Sequence, residues 1–186
     1  MKVKVGISNR HVHLTKEDYF KLFGTYKIET LKLLVQKGEF ASKSKVSIIT
    51  EKSKIDNVRV VGPFREYTQV EISKTDSYAL GIDPPIRCSG DVSDSELITI
   101  SGPSGIITKK CCIIPNRHIH VNHEERVKYG LDNIEKVSVK IGGLKSAILE
   151  NVFIKESENG VFEMHVDTDD ANGCLLNTGD DVEIIF

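Results

Sequence analysis

The sequence lacks a basic excess and a long hydrophobic run, and each absence excludes a class of protein. Its 25 lysines and arginines are balanced by 27 aspartates and glutamates, so the net charge is −2. Nucleic-acid-binding proteins usually carry a clear basic excess, and we therefore expect no nucleic-acid partner. No apolar run approaches the roughly 20 residues of a membrane-spanning helix, and we expect no membrane partner. The N-terminal residues also lack the apolar segment of a signal peptide.

The cysteines do not have the spacing of a disulfide framework. There are four, and none belongs to a CxxC motif: Cys88, Cys111, Cys112 and Cys174. Small secreted domains that depend on disulfides space their cysteines differently. We therefore expect four reduced thiols in a cytosolic protein.

An internal repeat organises the chain. NRHVHL at residues 9–14 returns as NRHIHV at residues 116–121. Further on, VEIS at residues 70–73 matches MHVD at residues 164–167, and NVRV at 57–60 matches NVFI at 151–154. Both of these matches have a spacing of 94 residues. A shared spacing makes a chance match less probable. The chain therefore consists of two related halves, each with a strand, an HxH motif, a short helix and several further strands.

The remaining pattern is that of a mainly β protein. Polar and apolar residues alternate in KVKV at residues 2–5 and in VSVKI at 137–141, which predicts short strands. Capping boxes after the two HxH motifs predict short helices, with Thr15 and Asp18 in one and Asn122 and Glu125 in the other. Many short strands separated by glycine, proline and asparagine favour barrels or a sandwich.

Each HxH motif predicts two metal ligands, because residues i and i+2 of a strand point to the same face. The repeat supplies a third ligand, since Glu71 in the first half aligns with His165 in the second. Two similar three-ligand sites follow: His11, His13 and Glu71 in one, and His118, His120 and His165 in the other. Three protein ligands leave an open position, which is typical of a catalytic zinc. The alternative is that the imidazoles bond to backbone groups at a strand-to-helix corner. His123 has no repeat partner and is interpreted as a surface residue.

Arg65 is the cation whose position most favours a role beside a metal. It follows Gly62, Pro63 and Phe64, and it lies six residues before Glu71. A guanidinium there could hold an oxyanion by charge-assisted hydrogen bonds. The alternative is a solvated surface arginine.

Several motifs together resemble the PduL-type phosphotransacylases, which are phosphate propanoyltransferases. The similarity runs almost end to end in consistent order. The motifs that carry it are NRHVHL (9–14), GPFR (62–65), QVEIS (69–73), LGI (80–82) with PPIR (84–87), NRHIH (116–120) and HVDTDDAN (165–172). The last motif departs from the family pattern by having Asp170 in place of glutamate.

The resemblance implies a specific fold. It implies two β-barrels of related halves capped by short helices, with the N-terminal strand crossing to the C-terminal barrel. One barrel would span residues 10–115, with the first HxH motif and Glu71. The second would combine residues 1–9 with 116–186, and it would hold the second HxH motif and His165.

The resemblance also implies a reaction and its participants. The enzyme would interconvert propanoyl-CoA or acetyl-CoA plus phosphate with the acyl phosphate plus CoA, by direct attack of zinc-oriented phosphate on the thioester. It implies two Zn²⁺ ions per chain on the six ligands already identified, with Arg65 as the catalytic, phosphate-binding residue. The CoA contacts carry over to Ser8, Asn9, Lys52, Arg59 and Asn172.

Two alternative functions and one alternative mechanism remain open at this point. The same ligands could serve a binuclear metallohydrolase, in which water replaces phosphate as the nucleophile. Acyl transfer through Cys111 or Cys112 would need an activated thiolate, although the strand that carries them reads as buried. A metal-storage or shell-associated binding module would bind metal without turnover, which the open coordination positions argue against.

The resemblance bears finally on location and assembly. It implies a homodimer that takes part in propanediol degradation. Some members carry an N-terminal extension that targets them to a bacterial microcompartment. Because the first HxH motif already begins at His11, we expect no such extension here. The expected location is the cytoplasm or the lumen of a bacterial microcompartment.

Overall fold

The computed structural model describes all 186 residues, and the predicted mainly β class is confirmed. Fourteen strands follow one another along the chain: β1 (Lys2–Ser8), β2 (His11–His13), β3 (Thr30–Leu33), β4 (Phe40–Ile49), β5 (Lys54–Gly62), β6 (Gln69–Glu71), β7 (Ile86–Arg87), β8 (Glu96–Ser101), β9 (Ile106–Pro115), β10 (His118–Val121), β11 (Lys136–Ile141), β12 (Ala147–Glu156), β13 (Glu163–Asp167) and β14 (Asp181–Ile185). Four short helices lie between them: α1 (Lys16–Phe23), α2 (Lys74–Leu80), α3 (His123–Lys128) and α4 (Thr168–Cys174). None of these helices, the longest of which has eight residues, could traverse a lipid bilayer.

The chain divides into two compact units, one of which is discontinuous in sequence. The central unit comprises Arg10–Pro115. The split unit comprises Met1–Asn9 together with Asn116–Phe186.

Each unit contains a closed ring of six strands. In the central unit the order is β4-β5-β2-β6-β9-β8, and β8 returns to β4. β3 and β7 extend this sheet beyond the ring, beside β4 and β9 respectively. In the split unit the order is β1-β13-β10-β12-β11-β14. The expected pair of barrels is therefore present.

The two rings repeat one another strand by strand. β2 corresponds to β10, and its parallel neighbour β5 and antiparallel neighbour β6 correspond to β12 and β13. β9 takes the place in the central ring that β1 takes in the split ring. Since β1 precedes β2 and β9 precedes β10, the strand before each HxH motif belongs to the other unit. The predicted crossing of the N-terminal strand is confirmed by the pairing of β1 with β13 and β14.

The alternating pattern of the strands produces a separate core in each unit. In β1, Val3 and Val5 are buried while Lys2 and Lys4 are exposed. The larger buried residues of the split unit include Ile119, Leu131, Ile141 and Met164, and those of the central unit include Leu14, Leu22, Ile48 and Ile100. Full burial of one such side chain contributes about 1.5–3 kcal/mol, so each ring is stabilised chiefly from within.

The helix caps agree with the sequence in part. Asn122 and Glu125 form the predicted capping box at the start of α3. Thr15 caps α1 by accepting from the Asp18 backbone N–H at 3.1 Å. The Asp18 side chain does not return to Thr15; it bonds to Thr68 and Lys109 instead. The expected reciprocal box is therefore wrong at this helix, because a buried carboxylate finds charged and hydroxyl donors in neighbouring strands and loops.

Candidate metal centres

The first HxH motif forms a three-donor cluster in the central unit. On β2, His11 and His13 point to one side of the strand, and their Nε2 atoms lie 3.2 Å apart. Glu71 on β6 is directly opposite His11 in the antiparallel register, and its Oε2 lies 3.5 Å from His11 Nε2. His13 and Glu71 are buried. The three ligand atoms lie within 4.8 Å of one another, close enough to share one ion.

The second HxH motif forms the equivalent cluster in the split unit. The Nε2 atoms of His118 and His120 on β10 lie 3.0 Å apart. His165 on β13 is opposite His118, and its ring centroid lies 5.4 Å from that of His118 and 4.5 Å from that of His120. These three ligand atoms also lie within 4.8 Å of one another.

The protonation of the imidazoles suits metal binding. His13 Nδ1 faces the Val61 carbonyl oxygen at 3.2 Å, and His118 Nδ1 faces the Asn116 carbonyl oxygen at 2.9 Å. A carbonyl oxygen only accepts, so these nitrogens carry the proton and leave an Nε2 lone pair directed at the neighbouring ring. Burial, together with the nearby His11 and Arg65, lowers the pKa of His13 to about 3. Neutral imidazoles and a carboxylate are the donors that zinc prefers, and the residues therefore fit this ion.

Two residues beside the ligands were missed by the sequence analysis. Gln69 donates from Nε2 to Glu71 Oε1 at 2.6 Å. Glu163, which is buried, lies with Oε2 2.8 Å from His165 Nε2. The sequence signal for them is one of position alone, because Gln69 and Glu163 are 94 residues apart and each stands two residues before a third ligand.

The two halves of the chain also share the geometry of the arginines that precede the HxH motifs. Arg10 Nε donates to the Asp76 carboxylate at 3.0 Å, and Arg117 Nε donates to that of Asp170 at 2.6 Å. Asp76 and Asp170 occupy the same position in the first turns of α2 and α4. Each arginine therefore ties the start of its HxH strand to the helix that follows the third ligand. Asp170, where the motif was expected to depart from the family pattern, is thus the residue that pairs with Arg117.

Arg65 lies near the central cluster and is partly exposed. Its backbone N–H donates to the Leu14 carbonyl oxygen at 2.9 Å, which fixes the segment after β5 beside the end of β2. Its guanidinium is close enough to lower the pKa of His13 and forms an ion pair with Glu39. The same charge could bind an anion that displaces Glu39.

The residues expected to bind CoA lie at several places on the two units. In the split unit, Ser8 ends β1, Asn9 follows it, and Asn172 is exposed on α4. In the central unit, Arg59 on β5 is paired with His11 in the parallel register, and its Nη1 donates to the Ser42 carbonyl oxygen at 2.9 Å. Lys52, in the turn before β5, donates to the Tyr78 carbonyl oxygen of α2 at 2.8 Å. Arg59 therefore lies in the strand beside a ligand, whereas Lys52 contacts the far end of α2.

Comparison with known proteins identifies the family of this chain. The sequence model of the phosphate propanoyltransferase family matches residues 4–177. A phosphate propanoyltransferase from Thermotoga maritima is 47% identical over 184 residues, which cover 97% of this chain and 88% of the relative. Those from Priestia megaterium and Limosilactobacillus reuteri are 45% and 41% identical over 180 residues each, covering 96% and 95% of this chain and 83% and 84% of the relatives. The chain therefore belongs to the phosphate propanoyltransferase family and is an acyltransferase.

Proposed function

We propose that the protein interconverts acyl-CoA plus phosphate with acyl phosphate plus free CoA, with propanoyl-CoA or acetyl-CoA as the substrate. One observation carries the proposal: a member of this family holds two matched groups of three ligands, each with its donor atoms within 4.8 Å. Propanoyl and acetyl groups differ by one methylene, worth about 0.8 kcal/mol in an apolar pocket. We therefore assign no preference between them.

Two zinc ions per chain are part of the proposal. His11, His13 and Glu71 would hold one ion, and His118, His120 and His165 would hold the other. Bound zinc supplies Lewis-acid stabilisation of negative charge on an oxygen atom without a proton transfer. The protein contributes imidazoles whose orientation is set by backbone carbonyl groups, as at His13 and His118.

Arg65 is proposed to bind phosphate and to act in catalysis. Its guanidinium is partly exposed, and it is held close to His13 by the backbone bond to Leu14. Phosphate carries more negative charge than the Glu39 carboxylate and offers several acceptor oxygens to the planar guanidinium. Phosphate binding would therefore replace the ion pair with Glu39 and place the nucleophile beside the central cluster.

The proposed chemical step is a direct acyl transfer. A phosphate oxygen attacks the thioester carbonyl carbon, the new C–O bond forms, and the C–S bond breaks. The electron pair of that bond leaves with CoA as the thiolate, and the reverse reaction consumes the acyl phosphate. Orientation of two bound reactants makes such a step effectively unimolecular. We propose the CoA contacts at Ser8, Asn9, Lys52, Arg59 and Asn172.

Three further proposals rest on the resemblance alone. They are assembly as a homodimer, a role in propanediol degradation, and a location in the cytoplasm or in a microcompartment lumen. Sedimentation of the purified protein tests the first of them.

Release of CoA from propanoyl-CoA, measured with and without phosphate, tests the proposed reaction. We expect release to require phosphate, to stop after zinc is removed with a chelator and to return when zinc is restored. Glu71→Ala should lower bound zinc from two ions towards one and abolish turnover, whereas Glu183→Ala, on an exposed position of β14, should change neither. Release that continues without phosphate would instead favour the metallohydrolase, which family membership does not favour. Full activity of metal-free protein would also contradict the proposal.

A further inference from the structure

The two clusters differ at the third ligand and, in step with it, at the residue two positions earlier. β6 carries Gln69 and Glu71, and β13 carries Glu163 and His165. Residues two apart on a strand share a face, so each earlier residue lies beside its ligand. Both Gln69 and Glu163 are buried, at 0% and 7% exposure. The repeat therefore contains an amide beside a carboxylate ligand and a carboxylate beside an imidazole ligand.

The hydrogen bonds follow this exchange of residue types. The Gln69 amide donates to Glu71 Oε1 at 2.6 Å, on the oxygen that does not face His11. In the split unit, Glu163 Oε2 lies 2.8 Å from His165 Nε2. At this distance the two atoms form a hydrogen bond, in which the carboxylate oxygen accepts and the ring nitrogen Nε2 donates. Each pair thus has one donor and one acceptor, with the roles reversed between the two units.

Both positions are packed so that the earlier residue is held in place. Gln69 is fixed further by the Gly90 backbone N–H, which donates to Gln69 Oε1 at 2.9 Å, and by a 3.1 Å bond to Ser89 Oγ. Glu163 faces His120 across the strand pair. On its other side β1 approaches closely at Gly6, where a Cβ atom would lie 3.0 Å from Glu163 Cδ and 3.0 Å from His165 Nε2. A side chain at position 6 would therefore displace this pair, whereas glycine leaves it in place.

We propose that Gln69 and Glu163 are positioning residues, each matched to the chemistry of the third metal ligand beside it. Gln69 leaves Glu71 Oε2 directed at His11 by holding its other oxygen. Glu163 fixes the proton of His165 on Nε2, which leaves Nδ1 as the nitrogen that binds metal. The inference rests on the metal sites of the proposed function and adds the two residues that orient them.

Giving the central cluster the residue types of the split unit tests whether each positioning residue is matched to its ligand. Zinc affinity of the central cluster is measured by chelator competition in the full-length chain, in a His118→Ala background that weakens the other cluster. Gln69→Glu alone sets two carboxylates side by side, and we expect it to weaken zinc binding about tenfold or more. In a chain that already carries Glu71→His, the same Gln69→Glu change should strengthen binding by about tenfold, because the imidazole now has an acceptor. Glu183→Gln on β14 serves as the control and should change nothing.

A reversal of sign between the two backgrounds supports the proposal, whereas an equal effect of Gln69→Glu in both would overturn it. Circular dichroism checks that each variant folds. Nitrogen-15 NMR of the zinc-loaded protein gives a test that needs no variant. We expect the proton of His165 on Nε2, and a proton on Nδ1 would overturn the role of Glu163. These readouts are independent of turnover, so phosphate-dependent release of CoA can succeed or fail separately.

Discussion

Burial of two adjacent cysteines decides whether the acyl group could pass through a thioester on the protein. Cys111 and Cys112 are almost fully buried on β9. Burial raises the pKa of Cys111 to about 12 and also raises the pKa of Cys112. The thiolate is the nucleophile, and a thiol with a pKa near 12 holds roughly one thiolate in 100,000 at pH 7. Neither cysteine is therefore suited to attack acyl-CoA.

Cys111→Ala and Cys112→Ala are each expected to keep wild-type turnover and metal content. Each removes a buried sulfur and leaves a small cavity, which should lower the free energy of unfolding by about 1 kcal/mol. Phosphate-dependent CoA release and urea unfolding measure the two effects. Cys88→Ala, at an exposed position, is the control for loss of a thiol without a cavity. Loss of turnover in a cysteine variant that retains its metal would point to a covalent route.

The candidate ligands could be grouped from sequence because strand geometry is regular. Residues i and i+2 share a face, and the repeat then aligns Glu71 with His165. The roles of Gln69 and Glu163 could not be predicted from the sequence for a physical reason. Gln69 is not a common metal ligand, so a search for matched ligand types passes over this pair. Their roles depend on hydrogen bonds to a neighbouring side chain, which spacing alone does not reveal.

Helix α1 buries one carboxylate, that of Asp18, against its unit. Asp18 accepts from Thr68 Oγ1 at 2.6 Å and from the Lys109 ammonium group of β9, and Lys21 lies 3.6 Å away. Burial alone would raise the pKa of Asp18. The bonds from Lys109 and Thr68 outweigh it, and the pKa lies below its usual value of 3.8. The ionised form is therefore the one that joins the helix to the strand.

Stability should fall in acid through this group. Because the folded pKa is below the unfolded one, the contribution of Asp18 is complete above about pH 4 and disappears as the pH falls through the folded pKa. Asp18→Asn should lower the free energy of unfolding by about 3 kcal/mol at pH 7 and should make the loss of stability below pH 4 shallower. Urea unfolding at a series of pH values measures both effects.

The matched control is Asp56→Asn on β5. Hydrogen bonds from Ser47 and Lys54 also lower the pKa of Asp56, but this carboxylate is exposed to solvent. Water replaces lost hydrogen bonds at such a position, and we expect little change in stability. An equal loss in both variants would show that the buried link of α1 to β9 contributes nothing specific.

Local sequence patterns predicted the helices and strands better than they predicted which distant residues those elements contact. The N-caps Thr15 and Asn122 follow from sequence, since an N-cap side chain bonds within its own first turn. The side chain of Asp18 instead bonds to Thr68 and Lys109, which are distant in sequence. Periodicity favoured barrels or a sandwich without choosing, because both have alternating strands. The choice of barrels came from the family resemblance.

The pairing of β1 with β13 joins the two ends of the sequence into one unit. Within the split unit, Lys4 on β1 pairs with Glu163 on β13, although the two residues are 159 positions apart in the sequence. The central unit occupies the intervening sequence. No local pattern predicts such a pairing, since an alternating strand fits any ring with an open edge. The entropy of closing so long a loop must be overcome before β1 can contribute to the barrel.

The two chain ends lie close enough together for the order of the segments along the chain to be changed by circular permutation. Ile184 donates from its backbone N–H to the Met1 carbonyl oxygen at 2.7 Å, in line with the antiparallel pairing of β1 and β14. A linker of about four residues from Phe186 to Met1 would therefore make a β-hairpin. With new ends between Pro115 and Asn116, residues 116–186 and 1–9 would form one continuous segment, and each unit would be contiguous.

Such a circular permutant is expected to refold about tenfold faster than the natural order. The segment between Lys4 and Glu163 shrinks to about 30 residues, which lowers the loop-closure cost by about 1.5 kcal/mol. Stopped-flow refolding measures the rate. The chain in its natural order, refolded under the same conditions, is the reference, because its Lys4–Glu163 segment keeps its full length. A permutant that refolds no faster than the natural order would mean that β1 joins its barrel after the rate-limiting step.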